Sequence, residues 1–123
     1  MPEDKEALLQ HYRQMREELR SAIDGLSDEM LAEPQADGWS VKDQLAHLAL
    51  WDDIRADEVV RISSGHASAW HMTHEQDEAF NALAYDLRLA LSASDAKWEL
   101  TTSRQRLLDA IANATERDRK SVV

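Results

Sequence analysis

Asp43, His47 and Trp51 are four residues apart, so a helix sets them on three successive turns of one face. An acid one turn before a histidine can accept one imidazole N–H and leave the other ring nitrogen free. That arrangement suits a metal ligand or a general base. Trp51 is placed to cover the same ring, and Trp39, just ahead of the helix, to complete a pocket wall. The alternative uses the same residues structurally: Asp43 caps its own helix, and His47 is a core histidine meeting a neighbouring group. His11, at the edge of an apolar stripe, is a candidate to reach His47 across the fold. His71 and His74 in "HMTH" have a spacing that allows joint metal binding if the backbone turns helically there. They diverge if Thr73 is instead a helix cap. The pattern lacks the adjacent glutamate and four-residue spacing of a zincin, so a polar loop is the competing expectation.

The acids have simpler readings. Glu75, Asp77 and Glu78 stand in a first helical turn, where the dipole stabilises them. Asp52, Asp53, Asp57 and Glu58 read as a mostly solvated run. Glu58 shares His47's side of the helix but lies about 16 Å along the axis, beyond a common coordination shell. No glycine-rich phosphate loop, serine-centred elbow or dinucleotide fingerprint occurs.

These residues need helices to position them. Leu8, Tyr12, Met15, Leu19, Ile23 and Leu26 predict a first helix from about Pro2 to Asp24. "SDEMLAEP" adds a short turn, and "PQADG" is a loop. Ser40 and Asp43 resemble a capping box with a shortened acid, opening a helix that ends near Ser64 with Gly65 as its left-handed cap. Thr73 and Gln76 repeat the box and predict a helix from His74 to Ala90, with Phe80, Leu83, Ala84 and Leu87 as its buried stripe. A last helix follows Ser92 or Ser94 and runs from about Asp95 to Glu116. Trp98, Leu108 and Ile111 occupy one of its sides, with Leu100 and Leu107 nearby. Three glycines and two prolines favour long helices over many strands, and no sustained alternation argues for a sheet. The expectation is one all-α, bundle-like domain over residues 1–123.

Composition narrows the function. With 24 acidic against 14 basic residues, the net charge of -10 argues against a nucleic-acid partner. Without cysteine there is no disulfide, thiolate metal site or cysteine nucleophile, which fits a reducing cytoplasm. No apolar run is long enough for a membrane span, so no membrane partner is expected.

"GWSVKDQLAHLALWDD", residues 38–53, resembles the second-helix motif of the DinB-like superfamily. The later "DEAFNALAYDLRLALSASDAKWELTTSRQRLLDAI" looks closest to the DfsB/ClbS-like branch, and the resemblance covers about residues 5–117. It implies an up-down four-helix bundle, often dimeric, acting on a small molecule. Metal-binding members use one histidine on the second helix and a spaced pair near the last. His47 matches the first, while no histidine follows His74 to supply the pair. The chain stops where that family's last long helix should begin, so a C-terminally shortened bundle is expected, with a homodimer covering the apolar surface left open. The activities implied are hydrolysis with a divalent metal (Zn or Ni) or with His47 alone, and transfer using a low-molecular-weight thiol. A non-catalytic dimerising or ligand-sequestering module is the alternative.

Overall fold

Five short oxygen-bearing side chains begin the five helices. Asp4, Ser27, Ser40, Thr73 and Ser92 each accept a hydrogen bond from the backbone N–H three residues on. The structure, a computed structural model, describes residues 4–36 and 38–114. Its helices are α1 (Lys5–Ile23), α2 (Asp28–Ala32), α3 (Val41–Ser63), α4 (His74–Arg88) and α5 (Ala93–Asn113). Both expected capping boxes form completely, at Ser40–Asp43 and Thr73–Gln76. Gly65, at φ 88, ends α3 in a paired-bond cap: its N–H reaches the Ile62 carbonyl and the His66 N–H reaches Arg61. Ser92, not Ser94, caps α5. Pro2 and Glu116, expected at helix ends, lie outside the described residues.

Two apolar clusters hold α1, α3 and α5 together. At one end Leu8 and Leu9 meet Ala56 and Val59 of α3 and Leu107, Leu108 and Ile111 of α5. At the other, Leu45, Ala96 and Leu100 pack with Leu19, Ile23 and Val41. Early α1 therefore meets late α3 and late α5, so α1 is antiparallel to both. On the other side of α3, Lys42 Nζ donates to the Leu89 carbonyl at 2.8 Å, and Trp51 Nε1 donates to Asn81 Oδ1 at 3.0 Å. Early α3 thus meets late α4, and the long helices alternate up and down. The described residues include four long helices, α1, α3, α4 and α5.

Between the two clusters lies a charged layer. Asp52 of α3, expected in a solvated run, is fully buried. Its Oδ1 accepts from Arg55 Nη1 at 3.2 Å and Arg104 Nη2 at 3.1 Å; Oδ2 accepts from Arg16 Nη2 at 2.8 Å and Arg104 Nε at 3.0 Å. Arg16 also donates to the Leu100 carbonyl, and Arg104 to the Tyr12 carbonyl while lying over the Tyr12 ring. The carboxylate escapes the penalty of burial because both oxygens are saturated by charge-assisted donors.

Four expected core residues are corrected. Met15 is 54% exposed, because the α1 stripe passes through its neighbour Arg16 instead. Leu83 and Leu87 are 57% and 74% exposed, and α4 has no fully buried residue. That helix leans on α3 through Phe80, Ala84 and Tyr85, and nothing among the described residues covers its opposite side. Trp98 is 65% exposed, whereas Leu100, Leu107, Leu108 and Ile111 enter the core as expected.

Removing the carboxylate strands the buried guanidiniums of Arg16 and Arg104 in a low-dielectric layer. Asp52→Asn is expected to destabilise the fold by about 3–5 kcal/mol in urea unfolding. Asp53→Asn, which breaks the exposed pair with Arg106, should cost less than about 1 kcal/mol. Equal effects of the two variants would remove the structural role given to the charged layer.

Candidate functional site

Most of the residues singled out in the sequence fall into two unlike compartments on either side of Trp51, while His11 and His74 border neither. The first surrounds His47. The Ser40 cap and the α3 register bring Trp39 against the imidazole, with ring centroids 5.6 Å apart and edge-to-face. Tyr85 of α4 stacks on Trp39 at 4.8 Å, and Trp51 approaches the other side of His47 at 6.4 Å. The space bordering His47, Asp43 and Arg88 is about 10 Å³, room for roughly one water.

Asp43 does not orient His47. Its Oδ2 accepts the Ser40 N–H at 2.9 Å and its Oδ1 lies 3.3 Å from Lys42 Nζ. The capping box and an adjacent ammonium hold the carboxylate that the four-residue spacing had offered to the histidine. Among the described residues no hydrogen bond reaches the His47 ring. Burial, followed by the positive charge of Arg55, lowers the His47 pKa below its ordinary value and favours the neutral imidazole.

The other histidines lie apart from this compartment. His11 is exposed beside Tyr12, at a ring separation of 6.1 Å, and does not border the His47 space. His71 precedes α4, and its Nε2 lies 3.1 Å from the Ser68 carbonyl. A carbonyl only accepts, so in this contact Nε2 carries the proton. His74, at the start of α4, faces Glu78 at 3.0 Å. The two histidines of "HMTH" are thus engaged separately, as Thr73 capping implies. Among the described residues no group of three or more histidine, cysteine, aspartate or glutamate side chains is gathered to hold a metal. Among the described residues the side chains bordering the His47 space include one carboxylate, Asp43, and no second histidine.

The second compartment is a cleft of about 520 Å³ between α1, α3, α5 and the 66–73 connection. Its apolar walls include Leu8, Ile54, Val59, Leu107 and Ile111. Tyr12, Trp51 and Trp70 bring aromatic faces to it, and Arg55, Glu58 and His71 its charged or titratable groups. Trp51, Trp70 and Phe80 pack mutually edge-to-face, with centroids 5.4–6.0 Å apart.

Glu58 builds one wall. Its Oε1 accepts the Ala69 N–H at 2.9 Å, drawing the connection across the end of α3. Burial raises its pKa, but the Ser68 hydroxyl, the Ala69 N–H, Arg61 and the Trp70 N–H together outweigh this and hold it below its ordinary value. Trp70 is positioned through this carboxylate, which the sequence pattern assigns to solvent.

Arg16, Asp52, Arg55, Arg104, Glu58 and Asn81 were the residues missed. A signal existed for the buried charges: Asp52 stands at heptad spacing between Leu45 and Val59, and Arg16 and Arg104 interrupt apolar stripes at similar heights. Nothing comparable marked Glu58, whose partners come from an irregular connection.

The lowered His47 pKa gives a pH dependence with a definite sign. The unfolded chain takes up this proton near the ordinary value of 6.5, while the folded chain resists it. Stability contributed by a neutral His47 is therefore present above that pH and is lost as pH falls towards the folded value. Between about pH 7 and pH 5, the melting temperature of wild type should fall further than that of His47→Gln. Parallel curves would remove the desolvated, neutral histidine.

In comparison with known proteins, the family model of the DinB superfamily matches residues 8–121, from the first core leucine of α1 through all of α5. Comparisons with curated proteins and with solved structures gave no match. The up-down helical bundle and a family match running over most of its length agree, and the chain belongs to the DinB superfamily.

Proposed function

We propose that this protein binds a small molecule in the cleft between α1, α3, α5 and the 66–73 connection. The single observation that carries the reading is the cleft itself: about 520 Å³, apolar and aromatic, with few charged groups. Ligand sites of roughly 300–1,000 Å³ have this composition, an apolar body that supplies affinity and isolated polar groups that orient the ligand. The space at His47 holds little more than a water, and His47 does not line the larger cleft, so it is not the polar centre of that ligand site. Sequestration of a ligand is the reading that these two volumes favour.

A second reading keeps chemistry at His47. Its neutral imidazole, favoured by burial and by Arg55, is the form that accepts a proton or ligates a metal. A His47-dependent hydrolase, or a transferase using a soluble thiol, follows if α3 and α4 part enough to admit substrate. Zn or Ni would then require ligands beyond those now grouped around His47. The resemblance to the DfsB/ClbS-like branch supports this reading. Two residues within the stretches that suggest the branch have structural roles here: Asn81 fixes the Trp51 indole, and Arg104 holds Asp52. A cytoplasmic setting, which would supply the thiol, belongs to the same proposal; no helix among the described residues is long and apolar enough to cross a membrane.

Homodimerisation is proposed on a separate observation. Leu83 and Leu87 stand one turn apart on α4 and are both largely exposed, and a second copy would cover them.

Binding of neutral naphthalene-2-carboxamide should quench tryptophan fluorescence saturably, since Trp51 and Trp70 line the cleft. Ile62→Trp, which fills the cleft from α3, should abolish that binding while leaving the helical circular dichroism intact. No saturable binding by wild type of this amide or of its carboxylate and ammonium counterparts of the same shape would sink the cleft reading. Stoichiometric metal in tag-free protein, lost in His47→Ala, would favour chemistry. Its absence together with unchanged thiol transfer in His47→Ala would remove the catalytic reading. Light scattering is expected to give twice the chain mass for wild type and a single chain mass for Leu83→Glu/Leu87→Glu; a wild-type monomer at high concentration ends the dimer proposal.

A further inference from the structure

The charged layer holds more positive charge than it uses. Three guanidiniums, those of Arg16, Arg55 and Arg104, meet one carboxylate, Asp52, and no other acid bonds to any of them among the described residues. Asp52 already accepts two hydrogen bonds on each oxygen, which fills the capacity of a carboxylate. Arg16 and Arg104 also donate to main-chain carbonyls and have side chains only 9% and 12% exposed. Arg55 differs. Its side chain is 51% exposed, it gives a single hydrogen bond, from Nη1 to Asp52, and it borders the cleft. Its Nε and Nη2 have no acceptor among the described residues.

The cleft's own carboxylate does not answer this surplus. Glu58 accepts the Ala69 N–H on Oε1 and feels the charge of Arg61, its buried Oε2 has no hydrogen-bond partner, and no ion pair joins it to Arg55 among the described residues. The charge of Arg55 also reaches His47, where, after burial, it opposes protonation. In a chain of net charge -10, this is a local concentration of cationic charge beside an apolar, aromatic cavity.

We infer that the ligand of the cleft is an apolar or aromatic carboxylate, its ring system lying among Tyr12, Trp51 and Trp70 and its carboxylate accepting from Arg55. This rests on the cleft reading above and adds the ligand's charge and the residue that reads it. A guanidinium presents parallel N–H donors that match a carboxylate, and part of its desolvation has already occurred. The same geometry disfavours a cation, although an aromatic lining alone would admit one.

Three probes of one shape and different charge test this: naphthalene-2-carboxylate, naphthalene-2-carboxamide and 2-naphthylmethylammonium, each titrated by tryptophan fluorescence and calorimetry. The carboxylate should bind about tenfold or more tightly than the amide, the size of one charge-assisted bond, and the ammonium most weakly. Arg55→Gln should reduce the carboxylate-to-amide ratio to within about twofold, and Arg55→Lys should retain part of it. If Arg55→Gln does not fold, the wild-type ratio and its decline with added salt decide the matter. Equal binding of carboxylate and amide, or a ratio unchanged in folded Arg55→Gln, overturns this inference and leaves the cleft reading standing. Failure of all three probes overturns both.

Discussion

One buried carboxylate sets the level at which three helices meet. Apolar clusters by themselves tolerate displacement by a turn, because one leucine replaces another with modest loss. A fully buried Asp52 does not, since any slippage would leave its charge or those of Arg16 and Arg104 without a partner. The stems of those arginines have limited reach, so their backbones on α1 and α5 must stand opposite Asp52 on α3. Leu8 and Ile111 at one end, and Leu19 and Leu100 at the other, then fall into contact. The layer thus fixes the register of the bundle, and the apolar clusters supply the larger burial on either side of it.

The two compartments of the site follow from that register. Trp51 is one residue before Asp52, so its indole leaves α3 in a different direction, towards α4, where Asn81 holds the ring nitrogen. The indole becomes the partition between the small aromatic space at His47 and the large cleft on the α1 side. Arg55, one turn beyond Asp52, connects the buried layer to that cleft. The core's excess charge is therefore presented where a ligand can reach it. Structure and recognition share one ion cluster, which explains how a strongly acidic chain offers a local cationic contact.

Local chemistry was the most legible part. Ser40, Thr73 and Gly65 specify helix ends through bonds made within a few residues, and those bonds formed as the spacing implied. The apolar faces of α1, α3 and α5 were largely readable for the same reason. The face of α4 was not: periodicity shows that Leu83 and Leu87 share a side, but burial requires a neighbour, and none stands there among the described residues. The Asp43–His47 pairing misled in the opposite direction. Two partners were available to the carboxylate, and the backbone N–H of Ser40, fixed by the helix start, engaged it first.

By itself the sequence determined the helices, their caps, the all-α class and the resemblance that the family match supports, because each depends on contacts or patterns close along the chain. Only the tertiary structure decided that Asp52 is a core residue, that Glu58 anchors a connection, and that His47 sits apart from the cleft. Those outcomes depend on partners 11 to more than 50 residues distant, such as Ala69 for Glu58 and Arg104 for Asp52. The charge of a side chain is a local property; whether water or another helix answers that charge is settled when the helices pack.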